Sequence, residues 1–218
     1  MGFIGVQPTS VPLTSSDITD GIISTAKIAD DAVGNTKLDL GADYAFTGSI
    51  TGAGGGKVLQ TVRFTQYTGT FSQSLTANTN TVIGSSALTV NITPTSASST
   101  IRLDCHVFHE WGSQGDATNS VWFFYKDTTA LKGASGGSRP VGISMSTISN
   151  IGNDAGSTPE IAYYSYFDAP NTTSQITYKI GLLPRYDRTL YVNRTVDDTD
   201  AIGYERGISF ISATEIGA

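Results

Sequence analysis

Between residues 18 and 38 the chain repeats itself every ten positions and places an apolar residue at every fifth: Ile18, Ile23, Ile28, Val33 and Leu38. ITDGIISTAK is followed directly by IADDAVGNTK, with Ile18/Ile28, Asp20/Asp30 and Lys27/Lys37 identical. A spacing of five fits neither the 3.5-residue seam of a coiled coil nor the 3.6-residue stripe of a surface helix. On a flat strand, whose period is 2, it would alternate faces. An internal period marks a unit that buries its apolar side only by stacking on neighbours. Two copies are too few to form a solenoid alone, so the missing partners are read as other copies of this chain around a common axis. The bland alternative is a loop that lays scattered anchors on a globular domain.

Ahead of the repeat, residues 1–16 read as an extended arm. Pro8 and Pro12 disfavour helix, and Phe3, Ile4, Val6, Val11 and Leu13 are apolar anchors with no local core. The arm is therefore assigned to docking on a larger particle, against the common fate of a frayed terminus. MGFIGVQPTSVPL lacks a basic start and a long apolar run, so no secretory signal is expected. No stretch has the length of a membrane span, and no membrane insertion is expected. Behind the repeat comes a glycine cluster, Gly52, Gly54, Gly55 and Gly56, which reads as a neck and domain boundary. Lys57 after it does not make a phosphate loop, because the glycines are not separated and a strand follows. The chain thus divides into an arm (1–16), a stalk with its neck (17–56) and a C-terminal domain (57–218).

That last segment carries strand signals. Ile101, Leu103, Cys105 and Val107 share one face, opposed by Arg102, Asp104 and His106. Similar runs fall at 62–64, 88–92, 121–125, 141–145, 161–167, 176–182, 190–192 and 208–211, separated by turn-rich joints. Charged residues are only 15% of the chain, which suits short strands and tight turns over solvated helices. Nine or ten strands in one domain imply a mainly β fold, an antiparallel β-sandwich of jelly-roll type.

Little enzymatic chemistry is visible. His106 and His109, the only histidines, are three apart in a strand context and point to opposite faces, which argues against a metal site within one chain. A metal on a threefold axis, one histidine per chain, stays open. Asp197, Asp198 and Asp200 lack the pattern of a calcium loop. No nucleophile triad or carboxylate pair is suggested. No catalytic residue, metal or cofactor is assigned. A net charge of −6 argues against nucleic acid as partner. Cys105, the single cysteine, reads as a small core residue. Contiguous aromatics, Trp122 to Tyr125, place rings on both faces of a strand. The outer ones need cover, and a subunit interface is expected to give it.

SSDITDGIISTAKIADDAVGNTKL resembles the stalk repeats of tail-fibre and fibre-like virion proteins of bacteriophages, especially short-tailed marine ones. VNITPTSASSTIRLDCHVF and the closing GISFISATEIGA resemble the knob domains of such fibres. The stalk-plus-sandwich plan further resembles the C1q and tumour necrosis factor families, whose knobs are trimers. The resemblance implies a homotrimeric, non-enzymatic fibre on the virion surface. Its arm would dock on other virion proteins of the tail or capsid, and its knob would adhere to a host-surface glycan or protein. Alternatives are a capsid (head) fibre or decoration protein with no receptor role, and a polysaccharide depolymerase. Recognition is expected on the loops at 112–119, 133–139 and 150–158, with Trp111, Gln114, Asp116, Asn119, Arg139, Asn153 and Asp154 as candidate contacts.

Overall fold

The computed structural model describes Thr14 and residues 57–112, 119–134, 136–145 and 156–218; in the first stretch the side chains of Arg63, Phe64 and Thr65 are not described. The chain divides into two units, Met1–Thr51 and Gly52–Ala218, and every described residue but Thr14 belongs to the second. The arm anchors Phe3, Ile4, Val6, Val11 and Leu13 and the repeat positions Ile18, Ile23, Ile28, Val33 and Leu38 lie outside the described residues.

The second unit is all strand and loop, with no α-helix among the described residues. Its strands are β1 (Val58–Tyr67), β2 (Phe71–Leu75), β3 (Thr81–Val82), β4 (Thr89–Ile92), β5 (Thr100–Trp111) and β6 (Val121–Lys126). The remainder are β7 (Thr129–Leu131), β8 (Ser144–Met145), β9 (Glu160–Asp168), β10 (Ile176–Leu183), β11 (Arg188–Val192) and β12 (Ser209–Ile216). The apolar runs of the sequence reappear as β1, β4 to β6 and β9 to β12. The 141–145 run shrinks to the two residues of β8, whereas β2, β3 and β7, with little apolar alternation, carried no signal.

All pairings are antiparallel. One sheet runs β1-β12-β5-β11-β2 with β9 on the other edge of β5; the second runs β3-β10-β6-β7, with β4 on β10 and β8 on β6. The two sheets close a β-sandwich over one core. Ile101, Leu103, Cys105, Val107, Ile211 and Ala213 of the first sheet are buried with Trp122, Phe124, Tyr178, Ile180 and Leu182 of the second. Period-2 alternation places them there: along β5 every odd residue from 101 to 111 is buried. Cys105 lies in this core as expected, and burial pushes its thiol well above its usual pKa.

Three buried carboxylates tie the sandwich together. Asp168 on β9 accepts hydrogen bonds from Tyr178 Oη (2.7 Å) and Lys126 Nζ (3.2 Å), which joins one sheet to the other. Glu215 on β12 accepts from Thr95 N (2.8 Å), Thr95 Oγ1 (2.8 Å), Ser96 N (3.3 Å) and Gln60 Nε2 (2.6 Å). It thereby fixes the Thr-Pro-Thr-Ser turn that leads into β5. Glu110 has the equivalent role at the far end of β5.

The expected cover for the contiguous aromatics is corrected in one respect. Trp122 and Phe124 face the core, but Phe123 on the opposite face is also fully buried within the single chain. Lys132 Nζ lies 5.2 Å from its ring centroid and Tyr125 packs against it at 5.2 Å. Gly181 lies beneath, where a Cβ would come 2.5 Å from the Phe123 ring, so only glycine allows this approach. No neighbouring chain is needed to shelter Phe123.

Candidate functional site

β5 sets the polarity of the domain. Its first residue, Thr100, pairs with Ile216, and Val58 pairs with Ile216 in turn, so the chain enters the sandwich at this end. Its last residue, Trp111, pairs with Leu190 at the opposite, distal end. There the turn at 76–80, Gly112, Asn119, the start of β9 and the loop between β10 and β11 come together.

The candidate contacts sort unevenly. Trp111, expected at a loop edge with its ring available, is instead buried in the core, because β5 extends past the alternating run and keeps it on the inner face. Asn119 and Arg139 are exposed, and Arg139 forms an isolated bridge with Gly136. Gln114, Asp116, Asn153 and Asp154 lie outside the described residues. Thr158, which closes the 150–158 loop, is fastened by Glu110: Oε1 accepts from Thr158 N (2.9 Å) and Thr158 Oγ1 (3.0 Å), and Oε2 accepts from Val196 N (2.7 Å). Ser157 Oγ donates to Gly203 O. One carboxylate thus holds two distant loops onto the outer face of β5.

Beside it is a buried titratable pair. His109 and Glu160 are cross-strand partners, with Nε2 and Oε2 3.8 Å apart. Trp122 and Trp111 stand edge-on to the imidazole, with centroids 4.9 and 6.1 Å away. Burial holds His109 down at about 4, and its Nδ1 lies 3.1 Å from Val107 O, the geometry of a neutral ring donating to a carbonyl. Burial, reinforced by the charge of Glu110, lifts Glu160 to about 7. At neutral pH the contact is therefore between a neutral imidazole and a carboxyl that is about half protonated, and the histidine carries no charge to form an ion pair.

The signs of the two shifts oppose each other. Glu160, raised from 4.5 to about 7, adds stability below its unfolded value and loses it as pH rises through about 7. His109, lowered from 6.5 to about 4, costs stability as pH falls below its unfolded value. Glu160→Gln removes only the first effect. Its melting temperature relative to wild type is expected to rise between about pH 5 and about pH 8. A constant offset in thermal melts would contradict this assignment.

The loop between β10 and β11 carried no sequence signal as a site, yet it has the most distinctive surface chemistry. Pro184 ends β10, and Arg185, Tyr186, Asp187 and Arg188 follow at the distal tip. The guanidinium carbons of Arg185 and Arg188 lie 5.5 and 5.6 Å from the centroid of the exposed Tyr186 ring. The turn at 76–80 braces the loop: Asn78 N donates to Pro184 O (2.8 Å), Ala77 N to Asp187 Oδ1 (2.7 Å), and Arg185 Nη1 to Asn78 Oδ1 (3.1 Å). Lys132 Nζ donates to Asn80 Oδ1 (3.0 Å) and adds a third cation to this end of an acidic chain. The only signal was Pro-Arg-Tyr-Asp-Arg itself, two arginines around an aromatic, shorter than the glycine-bearing loops that drew attention.

Among the described residues no group of three or more His, Cys, Asp or Glu side chains could hold a metal ion. No protein-family model matches the chain, and no curated protein matches it.

Proposed function

We propose that the chain is a structural virion fibre protein of a bacteriophage. Its N-terminal arm docks on the particle, its repeat forms a trimeric stalk, and its sandwich is a jelly-roll knob that adheres to the host surface. Two features of the strand order support the jelly roll. The first and last strands are neighbours, and the chain crosses from sheet to sheet between β2 and β3, β4 and β5, β5 and β6, β8 and β9, β9 and β10, and β10 and β11.

The observation that carries the trimer is the outer face of β9. Ile161, Tyr163 and Phe167 point away from the core and are 50%, 60% and 59% exposed, on an edge strand that among the described residues pairs only with β5. The register extends the patch across the sheet, with Tyr163 beside His106 and His106 stacked on Phe210 at 5.6 Å. Ile208 is exposed as well. These side chains leave on the order of 400 Å² of apolar surface facing water, against the ~800 Å² per partner of a standard interface. A long, apolar edge that finds no partner strand among the described residues is a liability in a solitary chain, and a fixed neighbour removes it. Ser165, which donates to Asp104 (2.9 Å), and the Arg102–Asp104 pair (3.0 Å) form a polar band within the patch.

Light scattering of the full chain is expected to give a trimer. Tyr163→Ser with Phe167→Ser should shift it toward monomer while β circular dichroism is kept, because both side chains lie outside the core. A monomeric wild-type chain at micromolar concentration would sink the trimer. Immunogold labelling of intact particles tests the virion assignment, which fails if particles carry no label.

A further inference from the structure

We propose that the distal hollow beside the 184–188 loop binds an acidic saccharide, with its oxyanion held by Arg188 on the wall of the hollow and Arg185 adding positive charge from the same loop. This deepens the adhesion reading above and rests on it for its biological setting. The hollow measures about 400 Å³ and is lined by Ser74, Gly112, Asp187, Arg188, Thr189 and Tyr191, among others.

Three properties of its wall select that ligand. Arginine is the cation suited to a planar oxyanion; Arg188 Nη1 donates to Asp187 O (2.8 Å), which fixes the guanidinium beside the hollow. Ser74 and Thr189 are paired neighbours across β2 and β11, and their hydroxyls, which both donate and accept, match sugar hydroxyls. Tyr191 presents an aromatic edge to the hollow, with Arg194 on its ring at 5.0 Å. Gly112 keeps the floor open: a Cβ there would come 3.2 Å from both Thr189 O and Tyr191 Cε2.

The charge is local and specific. The chain is acidic overall, with a net charge of −6, and the same end carries Asp197, Asp198 and Glu205 near the start of β9, so attraction for an anionic partner is confined to the surface around this loop. Arg185, Arg188 and Lys132 converge at this end, and the Asp187 carboxylate is engaged by Ala77 N. The loop is also held in advance. Pro184 and the three hydrogen bonds from and to the 76–80 turn fix its course, so little conformational freedom has to be lost on binding. The hollow lies at the end of the sandwich opposite Val58, the first residue of β1.

The test is calorimetric titration of the full chain with oligogalacturonate, dextran sulfate and neutral dextran. Either acidic probe should bind, more weakly as salt is raised, and neutral dextran should not. Arg185→Gln with Arg188→Gln should weaken the acidic probe about tenfold or more, and Tyr186→Ala should weaken it through loss of the stacked loop geometry. Circular dichroism confirms that each variant is folded. Failure of both acidic probes, equal binding of neutral dextran, or unchanged affinity in both folded variants would overturn the proposal. Binding of labelled chain to bacterial cells separates it from the adhesion reading. Cell binding by a chain that ignores both acidic probes keeps adhesion and rejects this site. Arginine-dependent probe binding without cell binding keeps the site and rejects adhesion.

Discussion

Glu215→Ala is expected to destabilise the sandwich by about 3 kcal/mol, because it removes the shared acceptor of four hydrogen bonds. The donors Thr95 N, Thr95 Oγ1, Ser96 N and Gln60 Nε2 would be left to find water in a region where Glu215 itself is fully buried. Burial alone would raise this carboxyl, but the hydrogen bonds it accepts, Gln60 and Thr95 among the donors, hold it at about 2 against an ordinary 4.5. A depressed folded value gives stability that is present above the unfolded value and is lost as pH falls toward the folded one. Urea midpoints of wild type and variant should therefore lie far apart at about pH 7 and converge toward about pH 2. A gap that ignores pH would show that the loss came from packing and not from the carboxylate.

Trp122→Ala is expected to cost about 4 kcal/mol and to lower the melting temperature by roughly 10 °C. Trp122, enclosed between the sheets, is the largest fully buried side chain among the described residues. Its ring meets the His109 imidazole edge-on at 4.9 Å, and its carbonyl accepts from Ile143 N (2.7 Å). Truncation leaves a void beside a neutral histidine that relies on dry surroundings. The imidazole should then gain water and titrate closer to its ordinary 6.5 than to about 4. Nuclear magnetic resonance of the His109 ring reports this shift directly. An unchanged titration with an unchanged melt would mean that the core closes over the gap.

The sandwich was legible wherever one face of a strand is apolar and the other polar. Ile101 to Val107 alternate cleanly and became the centre of β5. The alternation stops at Phe108-His109-Glu110-Trp111, yet the strand continues, because β9 and β11 still pair with it there. Glu110 is buried on the outer face only because Thr158 and Val196, far away in sequence, bring donors to it. No local pattern could announce that, and Trp111 was accordingly misplaced at a loop edge. β9 misleads in the other direction: Ile161, Tyr163 and Phe167 look like a core face, whereas Ala162 and Tyr164 occupy it. The distal arginine loop was unreadable for a related reason, since its significance depends on Asn78 and Lys132 arriving from other strands.

The position of β12 has a consequence for the timing of synthesis. β12 lies between β1 and β5, so the final strand of the chain completes the centre of a sheet whose outer members were made long before. Gly217 N even donates back to Lys57 O (2.8 Å), at the entrance to the domain. Until β12 leaves the ribosome, β1 has no partner and the core side of β5 has no Ile211 or Ala213 against it. Such non-local closure is slow and leaves strand edges open during translation. The sandwich therefore closes only after β12 has been made, so its central pairing is also its last.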